Sequence, residues 1–585
     1  MDFQRTQMTR FWRKIHNHLH FLVVLSALLV VMTYPTIVHV FNTEIFWLPI
    51  DSGDIWIEFW NAWHGKQILA GKADYLFTDL LFYPQGLSLA YHNFNIFHML
   101  FFAALQGILP ASNAYNLTYL LITIATTTAA YIYLNYIFKD KWIALFGAIV
   151  LGFSGYVVGR PMHPGVAFLA TVPLSCYFLH RGFAEMRWLF IAMSGILVGA
   201  TAFISLYMFV CLLLTVSAYF VYFAISQWQD RRFWLMVAAM IAVAGFSGLL
   251  RTFPMLSDET DLGGILDKTS GRETENDLLQ FFINYENPFF NRLITNRITS
   301  SIVLLPDPGR WNTSYLGYIP LLLIGLGLIR KIHRRRMFPW LLLLIPFFLL
   351  RLGSVLTING QVFDSVVLPK YALDRLVPVV FEAFYSTDHF QIGLLLPLAV
   401  LSCYGLLVFL DSFPMRRRSG IVLLLIALLA AEYYRSPPGG RIVLEEELAY
   451  LDWLAEESAE PVRLINLPMN RGSSKTYIFH QTIGGFPQVE GLATRTPPSA
   501  YDYIKANPVL NTWHRRESLI CTEANRDDYL AAITQLRDDG FSHVILHYSL
   551  LEPDTIEGSF LGLEPAYEDE FVAIYRPATL QKACQ

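Results

Sequence analysis

The chain has 585 residues, 54% hydrophobic, 15% aromatic and only 15% charged, with a formal net charge of -4 at pH 7. Soluble domains carry about 25% charged residues, so a purely soluble globular protein is excluded, and no basic block offers a surface to nucleic acid. Several apolar runs approach or exceed the roughly 18 residues that mark a membrane span, which makes this a polytopic α-helical membrane protein.

Arg5, Arg10, Arg13 and Lys14 precede the first apolar run, 19–41. That run is longer than a signal-peptide core and lacks a small-residue cleavage site, so it reads as an uncleaved first span. Further spans are predicted near 114–138, 142–160, 164–180, 188–204, 205–226, 233–254, 313–330, 338–352, 389–411 and 419–434, about eleven in all. The stretch 188–226 contains no charged side chain and is long enough for two spans, with the break near Ser205. The run 95–109 is short and holds His98 and Gln106. With that run in or beside the interface, the basic loops at 139–141, 180–187, 229–232, 330–336 and 416–418 all join the N-terminal cluster on one side. By the positive-inside rule that side is cytoplasmic.

The outer segments are then 42–113, 161–163, 255–312, 353–388 and the tail. The expected organisation is a transmembrane domain over 1–435, with outer loops 42–113, 255–312 and 353–388, and a soluble extracytoplasmic α/β domain over 436–585. In the tail, RIVLEEELAYLDWLAEE reads as an amphipathic helix. PVRLINLPM, FSHVILHYSL and FVAIYRP read as strands, and DDYLAAITQLRDDG as a helix ending at Gly540. Cys176, Cys211 and Cys403 lie in apolar runs and read as small hydrophobes. Cys521 and Cys584 lie in the polar tail, where an oxidising compartment would let them pair, although the sequence supplies no geometry.

Candidate chemistry concentrates in the outer segments. LPIDSGDIWIEFWNAWHGKQIL (48–69) sets Asp51, Asp54 and Glu58 at helical spacing among Trp56, Trp60 and Trp63. Such a segment is either an interfacial helix, capped by Asp51 and favoured by Asp54 at its N-terminus, or a site presenting a general base to a lipid-borne substrate. His92 follows in a polar aromatic stretch suited to sugar hydroxyls or to packing. Arg160 and His163 stand at a membrane boundary, where Arg160 either snorkels to headgroups or reaches a cavity. Glu286, Arg292, Asp388 and His389 complete the candidate substrate-binding set; the arginines suit a phosphate. No P-loop, dinucleotide fingerprint, HExxH or GxSxG occurs in a suitable context.

The run D-x-x-D-I-W-I-E-F-W-N-A-W (51–63) and FTDLLFYPQGLSLAYHN (77–93) resemble the GT-C glycosyltransferases. So do AYNLTYLL (114–121), NDLLQFF (276–282), YLGYIPLLL (315–323) and LPKYALDRL (368–376). These are membrane enzymes that take a sugar from a polyprenyl-phosphate or pyrophosphate donor, and the resemblance covers most of 20–411. It implies inverting sugar transfer at the extracytoplasmic face of the cell membrane, with an Asp of the first outer loop as base, Asp54 first and Asp51 second. The implied partners are a polyprenyl-phosphate-linked sugar donor, membrane lipid and an acceptor that the sequence does not name. No cofactor is called for, and a divalent metal has no positive support. The family's second acidic motif is absent here, since Arg160 and His163 occupy that loop. A GT-C-like protein that binds or presents a lipid-linked glycan without catalysis is therefore the alternative. A lipid or oligosaccharide transporter ranks third, because ion pathways need ionisable groups within the spans.

Overall fold

The computed structural model describes residues 18–41, 44–48, 53–160, 162–257, 276–284, 286–288, 314–377, 386–435, 440–443, 448–457, 461–551, 556–582 and 584. Of the candidate site residues, Asp51 and Arg292 lie outside the described residues. The chain divides into two compact units, one of Met1–Asp51, Leu109–Arg251 and Thr269–Ile442, the other of Ser52–Ile108, Thr252–Lys268 and Val443–Gln585. Thus residues 52–108 fold with the C-terminal segment.

The first unit is helical. Among the described residues, five helices are long and apolar enough to cross a membrane: Ala111–Phe138, Pro164–Glu185, Leu206–Gln227, Arg231–Leu256 and Thr387–Leu410. Shorter apolar helices occupy His18–Met32, Lys141–Gly152, Trp188–Ile204 and Tyr318–Ile329, and two further helices run over Lys331–Leu352 and Met415–Tyr433. The uncharged stretch breaks at Ser205, whose backbone is extended and whose hydroxyl accepts from the Met208 N–H that opens the next helix. Asp140 caps the helix after the KDK loop, accepting from the N–H groups of Trp142 and Ile143. Such caps satisfy donors that a helix start leaves unpaired.

Packing is close enough for backbones to meet. A Cβ on Gly405 would fall 1.7 Å from the Leu323 carbonyl oxygen, so helix Gln391–Leu410 can lie against Tyr318–Ile329 only with glycine there. Small residues at helix crossings are how membrane helices gain dispersion contacts without a hydrophobic driving force. Leu394, Leu398, Val400 and Leu401 are fully buried in this core with Phe146, Ile149 and Val150. The same packing brings the ends of three helical segments together: Gly155–Val158, the C-terminus of Lys331–Leu352, and the turn Thr387–Phe390 that opens Gln391–Leu410.

The second unit contains a four-stranded sheet in the order Leu464–Leu467, His543–His547, Val572–Tyr575, Tyr567–Glu568. The first pair is parallel, with Leu464 opposite His543, and the other pairs are antiparallel. All four residues of Leu464–Leu467 and all five of His543–His547 are buried, including Asn466, whose Oδ1 lies 3.0 Å from His547 Nε2, and burial on both faces explains why most of the others are apolar. Helix Arg526–Asp538 precedes the second strand, and Gly540 turns the chain at φ 89°. The expected amphipathic helix at 441–457 is corrected in part: Gly440–Val443 is a strand, and the helix is Ala449–Glu457. The β-branched pair Ile442–Val443 favours extended backbone over helix. Cys521 and Cys584 form a disulfide with Cα atoms 5.5 Å apart, while Cys176, Cys211 and Cys403 are free and buried. Helix Ile96–Leu105 has ten residues, about 15 Å of rise, half of a bilayer core of about 30 Å.

Candidate active site

In the second unit, the tryptophan-rich segment forms helix Asp54–Leu69. Asp54 opens it, where a carboxylate is favoured by the positive end of the helix. Helix Arg471–Gly484 of the tail lies along it in register. The Lys475 ammonium donates to Asp54 Oδ1 at 2.5 Å, Phe479 stacks on Trp56 at 4.2 Å, and Trp60 Nε1–H donates to Gln481 Oε1 at 2.8 Å. A Cβ on Gly53 would fall 2.6 Å from Lys475 Cδ, so the glycine before Asp54 makes room for the lysine stem. The Asp54 side chain is 37% exposed, leaving it open to solvent or substrate as well as to Lys475.

Glu58 and His92 have different surroundings. Glu58 is buried, and its two oxygens take one contact each, from Asn95 Nδ2 at 3.1 Å and with His98 Nδ1 at 2.9 Å. His92 is also buried. The Thr494 N–H donates to its Nδ1 at 3.1 Å, so Nε2 carries the proton given to Asn61 Oδ1 at 2.7 Å. Both residues tie helix Asp54–Leu69 to its neighbours within the unit. The three tryptophans likewise pack or half-pack in the unit's core.

In the first unit, Arg160, Asp388 and His389 converge. Arg351 Nη2 lies 2.5 Å from Asp388 Oδ1, and Arg160 Nη2 lies 3.2 Å from Asp388 Oδ2. Arg351 also donates to the Ser314 hydroxyl at 2.5 Å and is 1% exposed. Arg160 lies over the Tyr156 ring at 4.4 Å. His389 stacks on Tyr207 at 4.0 Å and lies 3.4 Å from the Tyr156 hydroxyl through Nδ1. Asn276 donates to the Arg351 carbonyl at 2.9 Å and to the Thr387 hydroxyl. His163 follows as the residue before the short helix Pro164–Ala167.

A third arginine belongs to the same neighbourhood. Arg435 Nη1 pairs with Glu286 Oε2 at 2.8 Å, and a Cβ on Gly159 would fall 2.3 Å from Arg435 Nη1. Gly159 therefore admits Arg435 beside the loop that carries Arg160. Asn287 Nδ2 anchors the Glu286 segment by donating to the Ala431 carbonyl at 2.7 Å. Among the described residues, Arg160 and Arg351 share Asp388, and Arg435 pairs with Glu286 beside the Gly159–Arg160 loop. Arg351 and Arg435 are buried, and guanidinium groups in a poorly solvated place suit a phosphate, which accepts several donors at once.

The described carboxylates here do not form a divalent-cation cradle. Asp54 faces Lys475, Asp388 faces two arginines and Glu286 faces a third. Lys475, Arg351 and Arg435 were missed by sequence reasoning. Arg351 and Arg435 each sit at the end of an apolar run, where a lone charge is a visible signal. Nothing local marks Lys475, which reaches Asp54 across 421 residues.

No protein-family model matches the chain, and no curated protein matches its sequence. Solved structures do match, and the fold they define is that of the GT-C glycosyltransferases, membrane enzymes built on a helical bundle. The arabinofuranosyltransferase AftD from Mycobacteria matches 97% of this chain at a TM-score of 0.51 and 14% identity. This chain spans 36% of that enzyme, about a third of its length. The oligosaccharyltransferase of Archaeoglobus fulgidus in its apo form matches 92% of this chain and 70% of its own, at a TM-score of 0.51 and 12% identity. At these identities the likeness establishes the fold.

Proposed function

We propose that the protein transfers a sugar from a polyprenyl-phosphate-linked donor to an acceptor at the extracytoplasmic face of the cell membrane, with inversion. The single observation that carries this is the pair Arg160 and Arg351 on Asp388, with Arg435 beside the Gly159–Arg160 loop, at helix ends of a GT-C fold, which supports a place for a lipid phosphate. Eleven spans, a cytoplasmic N-terminus and an extracytoplasmic α/β tail complete the topology. The Cys521–Cys584 disulfide supports an oxidising location for the tail.

Asp54 is the proposed base. It takes the proton of the acceptor hydroxyl or amine as that atom attacks the anomeric carbon. The bond from that carbon to the phosphate oxygen breaks, and the electron pair leaves with the polyprenyl phosphate. In reactions of this kind, cations stabilise the charge that develops on the leaving oxygen. Lys475 orients the Asp54 carboxylate through their ion pair. Arg160, His163, Asp388 and His389 form the proposed donor-side surface.

The test is transfer from a polyprenyl-linked donor in membranes by wild type and Asp54→Asn. General-base assistance is worth roughly 10²–10⁴-fold, and a loss of that size at normal expression is expected. Unchanged transfer would remove Asp54 from the mechanism. One observation favours the second reading, a non-catalytic glycan binder: Asp54 and Asp388 are both engaged by cations. A binder would retain lipid-linked sugar without releasing polyprenyl phosphate.

A further inference from the structure

The membrane unit carries a cavity remote from the arginine cluster. It is a half-open cavity lined by residues of the helices Ala111–Phe138, Thr171–Glu185, Leu206–Gln227, Lys331–Leu352 and Gln391–Leu410 and by Lys139, with a volume of about 390 Å³. Its lining includes Lys139, Arg336, His180, Tyr219, Trp340 and Tyr404. Arg336 and Arg351 belong to one helix, Lys331–Leu352. The intervening fifteen residues rise about 22 Å. The cavity and the arginine cluster therefore lie near opposite ends of the same bundle.

The chemistry of the cavity is that of an anionic amphiphile site. Lys139 and Arg336 are cations without an acidic partner among the described residues, since Asp140 beside Lys139 spends its carboxylate capping the next helix. Behind them the surface is aromatic: Tyr219 meets Trp340 edge-on at 5.6 Å, and Tyr136 meets His180 edge-on at 5.4 Å. Two polar atoms of these lining side chains, Tyr219 Oη and His180 Nδ1, are shielded from solvent and have no hydrogen-bond partner among the described residues. Buried polar atoms are rarely left unpaired, and a side-chain rotation would turn either one to a phosphate or its ester oxygens in the cavity. The volume matches the head and upper chain of a lipid better than a bare ion, since small-molecule sites run about 300–1,000 Å³.

We propose that this cavity is a binding site for a phosphate-bearing ligand, with the head group of a phosphate-headed lipid held between Lys139 and Arg336 and its body on the Tyr219–Trp340 surface. It is a second phosphate site at the basic-loop end of the bundle, and it stands whether or not the arginine cluster serves sugar transfer. Positively charged side chains at a membrane surface attract anionic lipid by about 1 kcal/mol each, close to fivefold per charge. The orphan Tyr219 hydroxyl adds a specific contact that bulk lipid attraction lacks.

The experiment uses the full chain in phosphatidylcholine nanodiscs, titrated with phosphatidic acid and read by native mass spectrometry. Retention of phosphatidic acid over phosphatidylcholine is expected. It should weaken about fivefold in Lys139→Ala or Arg336→Ala and about thirtyfold in the double variant. Tyr219→Phe preserves the shape of the wall and should still weaken retention a few-fold. Arg416→Ala/Arg417→Ala removes the same charge from the start of helix Met415–Tyr433, outside the cavity lining, and should leave retention unchanged. Displacement by millimolar inorganic phosphate would identify the phosphate group itself as what is read, with free phosphate as a competent source. Retention that phosphate does not disturb would assign the lipid as the source. Equal retention of the two lipids, unchanged retention in the Lys139/Arg336 double variant, or an equal loss in the Arg416/Arg417 control would overturn the proposal.

Discussion

Replacing Asp388 with alanine is expected to be among the most damaging single changes in the membrane unit. Asp388 is one carboxylate serving two guanidiniums, at 2.5 Å from Arg351 and 3.2 Å from Arg160. The two arginines differ in what they lose. Arg351 is 1% exposed, so removing Asp388 takes a carboxylate partner from a guanidinium shielded from water, at a cost of up to roughly 3–5 kcal/mol. Arg160 is 11% exposed and keeps its contact with Tyr156, so its share is smaller. Arg351→Met should cost less than Asp388→Ala, because Asp388 keeps Arg160. The double variant Asp388→Ala/Arg351→Met should be more stable than the sum of the two, with a coupling of about 1–3 kcal/mol. The assay is unfolding in nanodiscs followed by intrinsic fluorescence, with half-lives at fixed temperature where unfolding is irreversible. Inorganic phosphate should stabilise Asp388→Ala more than wild type, because an anion can take the position between the guanidiniums. Additive single effects, or an Asp388→Ala variant within about 0.5 kcal/mol of wild type, would refute the clamp.

Three further outcomes follow from the second unit. Burial pushes the Glu490 carboxyl up to about 8, against lesser opposing effects of Ser474 and Arg471, whereas the unfolded chain ionises near 4.3. Between those values the unfolded state binds fewer protons, so this residue lowers stability as pH rises from about 4.5 to about 8, and the loss is complete above that. Glu490→Gln should therefore raise the melting temperature at pH 8, by a stability gain on the order of a few kcal/mol, and flatten that slope; an unchanged slope would contradict it. Lys475→Met should lower kcat for transfer with little change in KM, since Asp54 loses the ammonium that orients it; an unchanged kcat would remove Lys475 as a positioning residue. Reduction of Cys521–Cys584, which closes a loop with a sequence separation of 63, should destabilise this unit by about 4 kcal/mol in the chain-entropy estimate, measured by unfolding with and without reductant.

Legibility in the sequence followed the range of the interaction. The apolar runs marked the helices, and the break at Ser205 was visible because a hydroxyl that caps the next helix interrupts an otherwise uncharged stretch. Strands Leu464–Leu467 and His543–His547 were legible from compact apolar runs bounded by polar residues. The strand at Gly440–Val443 was hidden inside a pattern read as one helix. The acidic spacing suggested a helix capped by Asp51, whereas the helix opens at Asp54 after Gly53, and spacing could not tell an accessible carboxylate from a buried one. Asp54 is open on one side and Glu58 is enclosed by Asn95 and His98. That distinction depends on partners up to 421 residues away, as with Lys475. The Arg351–Asp388–Arg160 cluster was half visible, because Arg160 and Asp388 were singled out separately and only packing joins them through Arg351.

The most direct measurement is turnover of a panel of polyprenyl-phosphate-linked sugars by purified wild-type protein in proteoliposomes. It would follow released polyprenyl phosphate and the anomeric configuration of the product by NMR. The account predicts consumption of at least one donor, stoichiometric release of polyprenyl phosphate, an inverted anomeric centre, and loss of all three signals in Asp54→Asn. Retained configuration, or release that Asp54→Asn leaves unchanged, would contradict it.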